Sequence, residues 1–567
     1  MLLPAAHPEH ADRKRFPVKT RHTRAFSALI LTATLVVAGC GSGNSTTAAS
    51  STTAASTTPA STGYVPTTAE ATPAPLPDAE RWQPAKHLAA DAGWSGAPSG
   101  LVYENGSYHV FYPHNPTGDD AAGAVDWAHA TSPDLVTWTE QPVAIAGSDD
   151  DQVLSGSVVI DQDNTSGLGT TAEPPLVALY TGNDDGQSLA YSTDHGQTWT
   201  EYSDNPVLQP RGSAGLQDPK VVWYEEGGYW VMVAAAADEF AVQFYKSENL
   251  TDWTYLSEFT GAGVQDGAWG SPDLFPLPLD GDEDDVKWVL PVSVRSGAVA
   301  GGSGVQYFVG SFDGTGFEAD PLGPAGVGAV QPGEMFSWMD WGTDFYGAGT
   351  ISGAPDGRTL AVGWLNNWNY AEATPTSPWR GSMTLPRELS LATVDGIPRL
   401  LQTVPTEAST ALAAPGPAFT EATITIPNGS RKLDDDASGT NLDITATLVP
   451  GDGAVAGVTV LGSATGQRGT RIQYVKETGI LQIDRTNSGR TDLPGFAPGA
   501  AVAVPLTDGA LNLHIVVDGS GVEVFAGDGK VALSALAFPA AGDDKVAVFS
   551  GGGKATINNL VVTQLGA

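Results

Sequence analysis

The run Asp-Gly-Asp-Glu-Asp-Asp at residues 280–285 carries enough carboxylate oxygen for a calcium ion, but it lacks the spacing of an EF-hand loop and reads as a solvated hairpin tip. The three aspartates at 149–151 read the same way. No His/Cys cluster has metal-ligand spacing, no glycine-rich loop precedes a helix to cradle phosphate, and no Ser/His/Asp set stands out. The residue types therefore imply no metal and no cofactor. Abundant carboxylates and 15 tryptophans suit a different chemistry. Carboxylates accept hydrogen bonds from vicinal hydroxyls, and flat aromatic faces cover the apolar C–H side of a sugar ring.

The charge balance narrows the partners. Lys and Arg total 27 against 64 Asp and Glu, a formal net charge of −37, which argues against nucleic acid and anionic membrane surfaces and fits neutral ligands. The 567 residues exceed one ordinary domain. Residues 1–40 read as a signal peptide: a basic region from Arg13 to Arg24 precedes the apolar stretch AFSALILTATLVVAGC. Its end, Val37 to Cys40, resembles a bacterial lipobox, and Cys40 is the sole cysteine, so no intrachain disulfide forms. Lipidation at Cys40 would anchor a secreted protein to the outer face of a bacterial membrane. Residues 41–79, rich in Ser, Thr, Ala and Pro, read as a disordered linker that would span roughly 35 Å.

The elements that must position any site are strands. From 80 to 402 short strands alternate with Gly/Pro/Asn/Asp turns, and no long amphipathic helix intervenes. A loose repeat recurs in TSPDLVTWTE, STDHGQTWTEY and SENLTDWTYL, each with a polar turn, a tryptophan and a strand. Trp138, Trp199 and Trp253 read as packing residues of this repeat. The unit fits a four-stranded propeller blade, and the segment would hold five of them. Residues 403–418 read as a Pro/Ala-rich connector, and 419–567 alternate apolar and polar residues as a β-sandwich does. The expected fold class is all-β: a five-bladed β-propeller followed by a C-terminal β-sandwich.

Several ordered stretches carry a resemblance to a known family. GLVYENGSYHVFYPHNP, WAHATSPDLVTW, LSGSVVID, QDPKVVW, SPDLFPL, GTDFYGAGT and VGWLNNWNYAEATPTSPWRGSMTLPREL follow one another as in glycoside hydrolase family 32, the β-fructosidases. The resemblance implies invertase-, inulinase- or levanase-like chemistry on β-fructosides. A retaining glycosidase needs two carboxylates roughly 5 Å apart, one to attack the anomeric carbon and one to protonate the leaving oxygen. The family's nucleophile is the Asp of Trp-Met-Asn-Asp-Pro-Asn-Gly. Here that stretch reads Trp94, Ser95, Gly96, Ala97, Pro98, Ser99, Gly100, so Ala97 stands at the nucleophile position. The family's acid/base is the Glu of a Glu-Cys pair before Pro-Asp-Leu-Phe. Here Gly270 and Ser271 occupy the pair. Gln217 replaces the arginine of Arg-Asp-Pro and Pro113 replaces a family glutamine, while Asp218 is kept.

The resemblance implies a surviving sugar pocket of Asp218, Ser155, Trp94, Trp127, Tyr346, Asp344 and Trp364, with no catalytic residue. The expected function is a cell-surface lipoprotein that binds fructan or a related oligosaccharide and is catalytically degenerate. One alternative is an active hydrolase or fructosyltransferase with a relocated carboxylate pair, drawn from Asp91, Asp266 or Glu334. Another is a structural or adhesion protein without a sugar pocket.

Overall fold

The computed structural model describes residues 80–121, 124–148, 152–182, 186–211, 215–321 and 337–566. The expected signal peptide, Cys40, the linker, the aspartates at 149–151 and Glu334 lie outside these residues.

Local chemistry accounts for the first strands. Gly100–Glu104 and Ser107–Asn115 form an antiparallel hairpin closed by the pair Glu104 and Ser107. Its two-residue loop, Asn105-Gly106, has φ of 48° and 82°. A primed turn needs positive φ at both positions, and Asn-Gly meets that need at least cost. Strands from 93 to 403 then group into consecutive sheets, mostly antiparallel. Gly156–Ile160, Leu176–Thr181, Gln187–Ser192 and Thr200–Glu201 form one four-stranded sheet. Gln217–Tyr224, Tyr229–Ala236, Ala241–Ser247 and Thr254–Thr260 form the next. These are the blades of a β-propeller.

The tryptophan repeat is a structural unit. Ser132, Ser192 and Ser247 each stand two residues before an Asp or Asn whose side chain accepts backbone N–H groups of the following turn: Asp134 from Val136 and Thr137, Asp194 from Thr198, Asn249 from Thr251 and Asp252. The residue three after each serine, Leu135, His195 or Leu250, has φ between 60° and 68°. The half-buried Trp138, Trp199 and Trp253 then fold back on three separate blade cores. Side chains that satisfy their own turn also excuse the left-handed residue within it.

Beyond residue 416 two six-stranded antiparallel sheets pack face to face. Leu442, Ile444 and Leu448 from one and Val458, Ile472 and Ile483 from the other are fully buried, as alternation predicts for a sandwich. The connector differs from the expectation. Thr406–Ala413 is an α-helix whose Ala408 and Leu412 are completely buried against the first blade. Its alanines favour helix, and two apolar residues four apart give it a face to bury.

A buried ionic seam joins propeller to sandwich. His87 lies between Asp518 at 2.8 Å and Glu523 at 3.0 Å. Arg387 bridges Asp340 at 2.7 Å and Glu523 at 3.1 Å. Each charge is paired, which is the condition for burying it.

Candidate functional site

The site is built where the innermost strands of several blades begin or end. Gly93–Ser95 runs into Ala97, Gln217–Tyr224 carries Asp218, Trp269–Gly270 ends at Gly270, and Tyr346–Thr350 starts with Tyr346. Asp218 has φ of 56° and Ser271 has φ of 41°, so two non-glycine residues facing each other occupy the left-handed region. Such conformations persist only where surrounding bonds hold them. Here the Asp218 amide donates to Thr181 Oγ1 at 3.0 Å. Its carboxylate accepts from Ser155 Oγ, from the Ser271 amide at 2.7 Å and from Ser271 Oγ at 3.4 Å. Two residues along the same strand, Lys220 forms a buried ion pair with Asp273 at 3.2 Å that is tied to Thr350.

Gly270 opens onto this carboxylate. Beyond its chain neighbours, two heavy atoms lie within 4 Å of where its β-carbon would be: Asp218 Oδ2 at 2.8 Å and Tyr346 Oη at 3.2 Å. Ala97 closes the other side. Its methyl lies 2.4 Å from the β-carbon that Gly347 lacks, so only glycine fits at 347. Gly347 also stands beside Ser271 Oγ. Ala97, Gly270, Asp218, Tyr346 and Ser271 are thus linked by direct neighbours.

An aromatic cluster lines the Ala97 side. Trp94 and Trp364 meet edge-on at 6.4 Å, Tyr346 meets Trp364 at 6.4 Å and Trp368 at 6.0 Å, and Ala97 packs among them. Trp364 donates its indole N–H to the Ser95 carbonyl at 3.0 Å, which fixes the chain just before Ala97. Trp94 Nε1 and Ser95 Oγ are buried with no hydrogen-bond partner among the described residues. The exposed Arg295 guanidinium lies 4.4 Å over Trp368. Burial, and then the charge of Asp218, push the Tyr346 phenol up, so it stays protonated and able to donate.

The residues expected from sequence divide accordingly. Asp218 and Ser155 meet directly, and Trp94, Tyr346 and Trp364 share the aromatic cluster. Trp127 does not join them. It is fully buried between Phe111 and Tyr180, and its indole donates to Leu154, so it positions the residue next to Ser155. Asp344 is also elsewhere, at the seam with the sandwich. It is completely buried, accepts from Arg485 Nη1 and the Leu536 amide, each at 2.8 Å, and is bound by Tyr370. The reason is backbone stitching: Trp341 and Asp344 donate to the Ala532 and Ser534 carbonyls, which turns Asp344 into the seam before the strand at Tyr346 begins. Asp91 and Asp266, considered as relocated carboxylates, are exposed. Sequence reading missed Trp368, Arg295, Thr181 and Gly347. Trp368 was available in WLNNWNY, but the other three carry no local signal.

Residues 87–403 match the glycosyl hydrolases family 32 N-terminal domain, and residues 410–564 match the family 32 C-terminal domain. The chain is 41% identical over 499 residues to a levanase of Bacillus subtilis (strain 168), covering 86% of this chain and 71% of that protein. The crystal structure of exo-inulinase from Aspergillus awamori superposes with a TM-score of 0.78 at 33% identity, covering 86% of this chain and 98% of that one. A glutamate-to-alanine variant of fructofuranosidase from Schwanniomyces occidentalis, complexed with fructosylnystose, superposes at 0.70 with 26% identity, covering 85% and 98%.

Proposed function

This chain belongs to glycoside hydrolase family 32, and we propose that it is a member that holds β-fructosides without cleaving them. One observation carries the reading: a methyl group at Ala97 and a bare backbone at Gly270 border a site whose carboxylate, Asp218, is held in place. Hydrolysis with retention needs an attacking carboxylate and a proton donor on either side of the bond. Loss of general acid catalysis alone lowers rate by roughly 10²–10⁴, and loss of the nucleophile closes the covalent route. Members of one catalytic unit do not fail additively, so the pair of losses leaves little beyond positioning.

Binding asks for less. Asp218 and Ser155 offer an acceptor and a hydroxyl, and the partly exposed Tyr346 and Trp368 offer ring faces, with the buried Trp94 and Trp364 packed behind them. The relative solved with fructosylnystose has alanine in place of a glutamate and still holds that sugar. Tyr346 is one side chain at the site that could attack carbon, and its environment opposes this. A phenol nucleophile needs a lowered pKa, whereas burial and Asp218 raise this one.

The proposal extends to location. The basic region, apolar stretch and Cys40 of the N-terminal sequence support a lipid-anchored protein outside a bacterial membrane, with residues 41–79 as a tether. Replacement of Cys40 by alanine would then release the protein from the membrane fraction.

Calorimetry with levan and inulin oligosaccharides, run beside a reducing-sugar assay, tests the central reading. The expected result is saturable binding, weakened at least tenfold by Asp218→Ala, with no sugar release. Release at ordinary enzyme rates would establish the alternative, a hydrolase with relocated carboxylates. Absence of fructan binding would leave a scaffold role.

A further inference from the structure

The outer face of one sandwich sheet carries a groove of about 700 Å³, remote in sequence from the fructoside site. Its floor follows from register. Lys432 pairs with Ala547, Ala547 with Thr459, and Thr459 with Arg471, so these four residues form one row across four strands. The next outward-facing row is Ser430, Phe549, Gly457 and Gln473. Small residues at 547, 459 and 457 leave a trough between the banks. The cations Lys432 and Arg471 stand three strand spacings apart, roughly 14 Å. Gly457 cannot be filled, because a β-carbon there would lie 2.0 Å from the Ile472 carbonyl oxygen.

The groove's charge opposes that of the chain. Its lining includes Lys432, Arg468, Arg471 and Lys545 and no Asp or Glu, in a protein with 64 acidic residues against 27 basic ones. Acids do stand behind the rim. Asp543 holds Arg468 at 2.8 Å, Asp544 and Asp435 lie 3.1 and 3.5 Å from Lys545, and the exposed Asp435 lies 3.9 Å from Lys432. Arg471 differs: no carboxylate lies within ion-pair distance of it among the described residues, although the buried Asp484 is its cross-strand partner, and its guanidinium lies 5.3 Å over the Phe549 ring. An arginine plane held on an aromatic face is preorganised to take a carboxylate or phosphate with two parallel hydrogen bonds. Beside it, Gln473 is already oriented by Gln482 at 2.9 Å, leaving further polar capacity for hydroxyls.

We propose that this groove binds a linear acidic glycan: a polyhydroxylated chain bearing carboxylate or phosphate groups, lying in the trough with its charges on Arg471 and Lys432. The volume suits two or three sugar units, within the ordinary range for ligand clefts of about 300–1,000 Å³. A net charge of −37 repels polyanions, so attachment here is local and depends on contact within the Debye length.

The test uses the full chain and two probes, polygalacturonate for carboxylate and a phosphomannan for phosphate, followed by calorimetry at low and at physiological salt. Expected is saturable binding of at least one probe, weakened by salt and not displaced by levan, with the preferred probe identifying the acidic group. The double variant Lys432→Glu/Arg471→Glu should lose at least tenfold in affinity for that probe, and the milder Arg471→Gln three- to tenfold. Both replacements lie on an outward face, and unchanged thermal melting would verify the fold. Binding of neither probe at low salt, binding indifferent to both variants, or displacement by levan would overturn the proposal. Levan binding itself is read separately, so failure of the fructoside site and failure of this groove are distinguishable.

Discussion

Asp218 Oδ2 lies 2.8 Å from the point where a β-carbon on residue 270 would stand, with the carboxylate held there by Ser155 and Ser271. The contact is closer than real β-carbons show, so the absence of a side chain at 270 and the placement of Asp218 are one arrangement. Gly270→Ala therefore displaces the carboxylate from its charge-assisted hydrogen bonds, worth about 1.5–3 kcal/mol each. Fructoside affinity should fall about tenfold, and Tm should fall as well, because those bonds also hold the fold together. Unchanged affinity would mean that Asp218 does not touch the ligand.

Tyr346 offers a cleaner probe of the site. Its ring packs against Trp364 and Trp368, and its hydroxyl faces the Gly270 space. Tyr346→Phe keeps the ring and removes the donor. Affinity should drop by about 1 kcal/mol, roughly fivefold, with Tm unchanged or slightly raised. If calorimetry shows no difference, the ligand does not reach the phenol.

How much of this was readable beforehand depends on how local the cause is. The Asn105-Gly106 hairpin and the tryptophan turns are set by residues a few positions apart, and the sandwich by simple alternation, so the sequence pattern showed them. Ala97, Gly270 and Asp218 were legible because each sits inside a preserved motif frame. Trp127 and Asp344 were not, because motif position says nothing about which way a side chain turns. Trp127 is drawn into the blade core, and Asp344 is turned away by backbone bonds to Ala532 and Ser534, residues almost two hundred positions distant. Arg485, the partner that fixes Asp344, belongs to the other domain, and no spacing rule connects the two.

That placement of Asp344 makes a prediction opposite to the one a pocket residue would make. Asp344→Ala leaves the fully buried Arg485 guanidinium without its carboxylate, and breaking a buried pair this way costs about 3–5 kcal/mol. Tm should fall by several degrees, while fructoside affinity, measured below the transition, should stay within twofold of the parent. A selective loss of affinity with normal melting would return Asp344 to the binding site.

The same seam should make stability depend on pH through His87. Burial opposes its charge, but hydrogen bonds and charges from Asp518 and Glu523 outweigh burial and raise its pKa to about 9 from 6.5. A group whose folded pKa is raised binds its proton more tightly in the native state, so it stabilises the fold fully below the unfolded value. That contribution is lost as pH climbs from about 6.5 through 9. A shift of this size corresponds to roughly 3 kcal/mol. Chemical denaturation of the parent should therefore show stability declining across this window. His87→Gln should be less stable at pH 6 and should flatten the decline, because the glutamine carries no titrating proton. A parent profile that is level from pH 6.5 to 9, or a variant that keeps the parent's slope, would show that the imidazole is not charged between its two carboxylates.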